Sequence, residues 1–150
     1  MTGTGQPHAP QDDSLLPTFR ALMACARQVE RVASRHVETL GLTLPQFDVI
    51  TTLGDTQGMT VSEIAERTLI TRGTLKPVLD RLEARGMVRR CKGERDARQV
   101  VVSLTEDGQA LYEKTFPLHL AFLKQLIDNV PQDHQSQLIS LLGELEQAFK

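Results

Sequence analysis

The sequence predicts a mainly α-helical fold with one small β-hairpin, and three observations lead to that prediction. Apolar residues at helical spacing occupy both ends of the chain, and two shorter helical segments lie between them. Two strand-like runs, residues 87–91 and 99–104, follow the shorter segments and are joined by a polar loop. Two short helices followed by such a hairpin are typical of a winged helix-turn-helix. The chain is therefore predicted to be a DNA-binding regulator.

The first long helix is predicted over residues 12–40. Its apolar residues recur at steps of three and four, and Gly41 suits the position just past its end. A helix of this length cannot bury its apolar stripe on a short DNA-reading module. We therefore expect it to pack on another long helix or on a second copy of the chain. Residues 1–11 lack the basic and apolar regions of a secretory signal and are predicted to be a flexible N-terminus.

The winged-helix core that reads DNA, here called the reading head, is predicted over residues 43–105. Thr43 is expected to cap its first helix, and Thr60 or Ser62 its second. Between these two helices, Met59 is expected to pair briefly as a strand.

The third helix of the reading head is the candidate recognition helix, predicted from a Thr71 cap to Arg85. Its inward stripe consists of Leu75, Val78, Leu79 and Leu82. Pro77 falls at the sixth helical position, where it removes a backbone hydrogen bond. This predicts either a kink at Pro77 or a later start of the regular helix.

Two more helices are predicted after the hairpin, within residues 106–149. Thr105 is the expected N-cap of the first, Pro117 is expected to bend it, and Pro131 opens the second. Together with residues 12–40, this region is predicted to supply dimerisation helices.

Composition and charge distribution favour a DNA-binding protein. The chain is 40% hydrophobic and 24% charged, as in ordinary globular proteins. No run reaches the ~20 apolar residues of a membrane span, so no membrane partner is expected. The net charge is −2, but residues 60–104 hold ten Lys or Arg against six acidic residues, whereas the remainder holds seven against thirteen. A basic centre in an acidic frame is what a DNA reader with separate assembly elements would show.

The sequence carries no signature of enzyme or metal chemistry. No P-loop, dinucleotide-binding or nucleophile-elbow motif occurs, so the chain is predicted to be no enzyme and to need no cofactor. Its four histidines lack metal-ligand spacing, which predicts no metal site. Its two cysteines form no CxxC pair, so we expect reduced thiols in a cytoplasmic protein.

The candidate DNA contacts lie at the start of the recognition helix and on the hairpin. A helix N-terminus presents free N–H groups to phosphate, and an arginine there can place its fork on a guanine. Arginine on a narrow hairpin suits an A·T-rich minor groove. Taken alone, each feature is also consistent with a solvated charged surface. The candidates are Thr71, Arg72, Thr74 and Lys76 on the helix, and Lys92, Arg95, Asp96 and Arg98 on the hairpin.

The order of these motifs resembles the MarR (multiple antibiotic resistance regulator) family. Asp96-x-Arg98, followed by a strand and Leu104-Thr105-x-x-Gly108, is similar to the family signature. Supporting segments are residues 44–47, 60–65 and 82–88. Each segment is common alone, but their ordered combination is specific.

The resemblance implies a winged-helix homodimer that grips a pseudo-palindromic operator, with residues 12–150 forming a single domain. Its function would be that of a transcriptional regulator, usually a repressor, released by a small ligand or by thiol oxidation. The helix candidates would then lie in the major groove, and Arg98, braced by Asp96, in the minor groove.

Within the family, residues 73–83 look most like the branch that senses organic peroxides, in which a proline inside this helix has precedent. The reactive cysteine of that branch corresponds to Phe19 here, and its hydroxyl-bearing residue before Pro45 corresponds to Leu44. The chain therefore lacks the cysteine position of the branch it resembles.

The cysteines and one histidine are candidate sensor residues. A redox sensor needs a lowered thiol pKa and access to solvent. We expect Cys25 to be buried and inert and Cys91 to be structural, although oxidation at Cys91 could disturb DNA contact. His36 could line a ligand pocket beside Phe47 and Asp48, since the family often binds ligands between the dimerisation helices and the reading head; a surface histidine is the alternative.

The alternative function is a winged-helix module for protein–protein assembly without specific DNA binding. Salt discriminates the two, because counterion release makes DNA binding weaken steeply as salt rises. An apolar protein interface would be far less affected.

Overall fold

The computed structural model describes residues 15–68, 70–93 and 98–150. Within these residues the elements follow one another as α1 Leu15–Thr39, α2 Leu44–Leu53, β1 Met59–Thr60, α3 Val61–Arg67, α4 Arg72–Ala84, β2 Val88–Lys92, β3 Val100–Leu104, α5 Glu106–Ile127 and α6 Gln132–Ala148. The predicted mainly helical fold with a small hairpin is confirmed.

Threonine side chains fix the starts of α2, α3, α4 and α5. Each cap has extended backbone, and its hydroxyl oxygen accepts a hydrogen bond from the backbone N–H three residues on, which satisfies a donor that the helix leaves free. The caps are Thr43, Thr60, Thr71 and Thr105. Thr60, rather than Ser62, therefore caps α3.

Helix α4 runs through Pro77 without a later start. It begins at Arg72, five residues before the proline, so the expectation of a delayed regular helix is wrong. The Thr71 backbone carbonyl accepts from Leu75 N at 2.9 Å, which closes the first turn before Pro77 is reached. Burial of the stripe around Leu75 and Leu79 offsets the hydrogen bond that the proline removes.

The three strands form an antiparallel sheet in the order β1-β3-β2. Strand β2 pairs with β3 from Val88 opposite Leu104 to Lys92 opposite Val100, which confirms the predicted hairpin. Met59 pairs with Val102, as expected for a short third strand. Beyond the ladder, Gly93 N donates to the Gln99 carbonyl at 2.8 Å, so the hairpin continues towards its tip.

The hydrophobic core lies inside the reading head. Helices α2, α3 and α4 and one face of the sheet supply most of it, and Val37 near the end of α1 packs into it. Its fully buried large side chains include Ile50, Leu53, Ile64, Leu75, Leu79, Leu82, Val88 and Val102. The recognition-helix candidate is thereby held by its inward stripe.

The long helices leave apolar side chains uncovered within one chain. Helix α6, which lies in the region predicted to supply dimerisation helices, has no buried residue within one chain. Large apolar side chains that are exposed on α1, α5 and α6 include Leu16, Phe19, Met23, Val29, Leu118, Leu120, Leu126, Ile127, Leu138, Ile139, Leu141, Leu142 and Phe149. This surface is far more apolar than an isolated protein ordinarily presents.

Candidate nucleic-acid interface

The start of α4 exposes polar side chains to solvent, while its inward side is held in the hydrophobic core. Thr71, Arg72, Thr74 and Lys76 are exposed, whereas the next inward residue, Leu75, is fully buried. The Thr71 hydroxyl donates to the Thr74 hydroxyl oxygen at 3.1 Å and so orders the first turn. A Cβ added at Gly73 would meet no atom within 4 Å, so this turn is open to close approach by a ligand backbone.

Lys76 belongs to a chain of charges that links α4 to the hairpin. Its ammonium donates to Asp80 at 2.9 Å, and the other oxygen of Asp80 accepts from Arg90 of β2 at 2.7 Å. Arg90 also pairs with Glu83, one turn further along α4. The hydrogen bond from Lys76, followed by that from Arg90, holds the pKa of Asp80 below its ordinary value. Asp80 therefore faces the hairpin as a carboxylate.

The predicted hairpin contacts divide between described and undescribed residues. Lys92 and Arg98 are exposed on the two sides of the hairpin, near its tip. Arg95 and Asp96 lie outside the described residues, and so does the predicted brace between Asp96 and Arg98. The structure therefore brings Lys92 and Arg98 to the same end of the sheet, and Arg90 of the same hairpin contacts α4.

Two of the predicted ligand-pocket residues, His36 and Phe47, contact His119, which the sequence did not single out. His36 Nδ1 and His119 Nδ1 lie 3.0 Å apart, and His36 stacks on Phe122 with ring centroids 4.1 Å apart. Phe47 packs edge-on against His119 at 4.7 Å. His36 is half-buried, which rules out a simple surface histidine. The spacing of Thr115, His119 and Phe122 along α5 was the signal that could have identified this inward face.

Burial shifts the pKa values of His119 and of Asp48 on α2. Burial, and after it the charge of His36, lowers the pKa of His119. Burial also raises the pKa of half-buried Asp48. The cluster lies where α1, α2 and α5 meet, so it joins the long helices to the reading head.

A larger apolar groove lies elsewhere, between α1 and α5. Its volume is about 770 Å³, and it is lined by Val29, Val32, Leu120, Leu123, Leu126 and Ile127 with Gln28 and Lys124. None of His36, Phe47 and Asp48 lines this groove. The groove and the histidine cluster are therefore separate features.

Both cysteines are exposed, which corrects the expectation for Cys25 and Cys91. Cys25 lies on an exposed face of α1. Cys91 lies on the edge strand β2, on the face opposite buried Val88, because side chains alternate along a strand. Neither thiol belongs to the hydrophobic core of the protomer.

Neither a membrane-spanning helix nor a metal-binding cluster occurs among the residues that the structure describes. Among those residues, no helix combines the length and hydropathy that a membrane crossing requires. The same residues contain no cluster of three or more His, Cys, Asp or Glu with the geometry to hold a metal ion.

Known proteins share both the sequence pattern and the architecture of this chain. The model of the MarR family matches residues 40–99. The organic hydroperoxide resistance transcriptional regulator of Bacillus subtilis (strain 168) is 33% identical over 129 residues, which make up 84% of this chain and 87% of that protein. The crystal structure of AbsC, a MarR family transcriptional regulator from Streptomyces coelicolor, has a TM-score of 0.84 at 22% identity and covers 95% of this chain and 98% of its own. A MarR mutant from E. coli in complex with operator DNA has a TM-score of 0.79 at 25% identity, covering 91% and 99%. The chain thus belongs to the MarR family of transcriptional regulators.

Proposed function

We propose that the protein is a homodimeric repressor that binds a pseudo-palindromic operator. The observation that carries this proposal is the pairing of an exposed polar helix start, Arg72 to Lys76, with an adjacent hairpin bearing Lys92 and Arg98. Such a pair suits one turn of duplex, with the helix in the major groove and the hairpin over the neighbouring minor groove. Occupation of an operator beside a promoter would block transcription.

The homodimer is supported by the apolar side chains that α1, α5 and α6 expose. Leu138, Leu141 and Leu142 on α6 lie exposed at helical spacing, as do Phe19 and Met23 on α1. Burying such a stripe against a second copy removes apolar surface from water at about 25 cal/mol per Å². The long helices would then form one dimerisation unit, and two reading heads would face successive major grooves ~34 Å apart.

Release by an effector is the second part of the proposal. The apolar groove between α1 and α5 is large enough for a drug-sized molecule, and the His36–His119 cluster lies at the junction with the reading head. A ligand that prefers one separation of the heads shifts the population towards it and away from the DNA-binding form.

Thiol oxidation is the other proposed route, and exposure of Cys25 and Cys91 gives an oxidant access to both. Phe19 stands where the peroxide-sensing branch has its reactive cysteine, so a peroxide response would have to use a different thiol. Cys91 lies one residue before Lys92, and its oxidation would alter the hairpin beside a proposed DNA contact.

A mobility-shift titration tests this function, using DNA upstream of the protein's own gene and a scrambled duplex as control. The proposal predicts a salt-sensitive complex with the upstream DNA at far lower protein concentration than with the scrambled duplex. Peroxide and then reductant, with Cys25→Ser and Cys91→Ser variants, separate redox release from ligand release. Equal affinity for the two duplexes would instead favour the alternative function, a protein–protein assembly module.

A further inference from the structure

Arg90 joins the first strand of the hairpin to the recognition-helix candidate. Its Nη2 donates to Asp80 at 2.7 Å, and its Nη1 donates to Glu83. The two carboxylates lie three residues apart on α4 and so occupy one helix face. A single guanidinium thus contacts two carboxylates on successive turns of α4, outside the hydrophobic core.

The environment of Arg90 distinguishes it from an ordinary surface ion pair. Its side chain is only 25% exposed, whereas Lys76 in the neighbouring pair is 77% exposed. The backbone of Arg90 is held opposite buried Val102 in the sheet. Planar two-pronged pairing fixes orientation as well as distance, which a single flexible ammonium does not do. The side chain therefore connects β2 to α4 through two oriented contacts.

The orientation of β2 relative to α4 matters because the two proposed DNA-contact surfaces lie on the hairpin and on α4. Lys92 lies two residues beyond Arg90, about 7 Å along the strand, and Arg98 follows across the hairpin. Arg72 and Lys76 lie at the start of α4. If the hairpin could rotate relative to α4, α4 could still enter the major groove, but Arg98 would no longer reach the neighbouring minor groove.

We propose that Arg90 is a positioning residue for DNA recognition, which acts by setting the hairpin against α4 through Asp80 and Glu83. This inference rests on the DNA-binding function proposed above. The guanidinium is directed at Asp80 and Glu83 of the same chain, and on this proposal it acts on DNA binding through Arg98 rather than through a phosphate of its own.

A double-mutant cycle tests the proposal on the full chain, with the duplex that binds the wild-type protein most tightly. Arg90→Met removes the fork and the charge, and Arg90→Lys keeps the charge without a fork that spans both carboxylates. We expect each to weaken binding about tenfold, with the slope of affinity against salt unchanged because no phosphate contact is lost. In an Arg98→Ala background, Arg90→Met should cost less than about twofold, since the contact it positions is already absent.

Lys150→Met is the matched control, because it also removes one cation from an exposed ion pair, at Lys150–Glu146 near the end of α6. It should leave operator affinity within about twofold of wild type. Thermal unfolding of every variant shows whether the fold is kept. If Arg90→Met unfolds, the cycle is run with Arg90→Lys.

Three results would overturn the inference while leaving DNA binding intact. Additive effects of Arg90→Met and Arg98→Ala would show that Arg90 does not act through the hairpin. Recovery of wild-type affinity by Arg90→Lys, or loss of about one phosphate from the salt slope, would show a direct contact with DNA. Failure of the wild-type protein to prefer any duplex would instead overturn the DNA-binding function itself, and the inference with it.

Discussion

The Nδ1 atoms of His36 on α1 and His119 on α5 lie 3.0 Å apart, so one imidazole nitrogen donates a hydrogen bond and the other accepts it. A nitrogen that accepts carries no proton, so the contact cannot survive protonation of both Nδ1 atoms. His119 also packs on Phe47 of α2. The junction between the long helices and the reading head is therefore sensitive to pH.

The first prediction concerns stability against pH. Burial, and then the charge of His36, lowers the pKa of folded His119 below its ordinary value of 6.5. Below pH 6.5 the unfolded chain binds the proton more readily than the folded chain does. The contribution of neutral His119 is thus complete above pH 6.5 and is lost as the pH falls through the lowered pKa. Urea unfolding at a series of pH values from 8 to 5 measures this loss.

The matched variants for that experiment are His119→Phe and His134→Gln. Phe keeps a ring beside Phe47 but cannot titrate, so the fall in stability below pH 6.5 should shrink. His134 is an exposed histidine of α6, and its replacement should leave the pH profile unchanged. Equal profiles for wild type and His119→Phe would refute the role given to His119.

The second prediction concerns the major groove. Arg72→Ala should weaken operator binding by about 1–3 kcal/mol and relax the preference at one base pair, because it removes a fork from a guanine edge. Titration of the wild-type and variant proteins against duplexes changed one base pair at a time measures this preference. A uniform loss on all duplexes would place Arg72 on phosphate instead.

The third prediction concerns Lys76, whose ammonium is held by Asp80 in the free protein. Lys76→Ala should weaken binding to all duplexes by a similar factor and reduce the salt slope by about 1, as expected for a phosphate contact. Affinity measured at several salt concentrations gives the slope. An unchanged slope would exclude that contact.

The fourth prediction concerns Arg98 on the hairpin. Arg98→Ala should weaken operator binding by roughly tenfold while leaving folding and dimerisation intact, because Arg98 is exposed and lies outside the predicted dimerisation helices. Anisotropy titration measures the affinity, and sedimentation measures the oligomeric state. Unchanged affinity would show that the hairpin assignment is wrong.

The fifth prediction separates two glycines by their surroundings. A Cβ built at Gly108 would lie 1.9 Å from the Met87 carbonyl oxygen, whereas one at Gly73 meets nothing within 4 Å. Gly108→Ala should therefore destabilise the protein by more than about 2 kcal/mol, through forced displacement of the Met87 backbone against α5. Gly73→Ala should instead be neutral or stabilising by up to about 1 kcal/mol, since alanine favours the helix. Chemical denaturation of both variants compares them.

Local signals in the sequence predicted the elements and their starts. Thr43, Thr71 and Thr105 each cap the helix for which they were proposed, because a cap depends on residues within one turn. The inward stripe of α4 follows from spacing alone. The burial of Cys25 was predicted wrongly, because the cover of a long helix depends on which other helix or chain packs on it.

Contacts between distant segments were beyond local reasoning. His36 meets His119 across 83 positions, and no spacing rule relates the two. Arg90 was counted only as one of many basic residues, since its partners Asp80 and Glu83 become neighbours only when the hairpin folds back on α4. The exposed candidates on α4 were predictable as a set, but their link to the hairpin was not.

The most direct test of DNA recognition by a dimer is selection of binding sites from random duplexes by the purified protein, followed by sequencing. We expect enrichment of one pseudo-palindrome whose half-sites lie about 10 base pairs apart, one helical turn, as two symmetric reading heads require. Arg72→Ala protein should lose enrichment at the same position in each half-site. Recovery of duplexes without a shared motif, or of a single unrepeated half-site, would contradict this expectation.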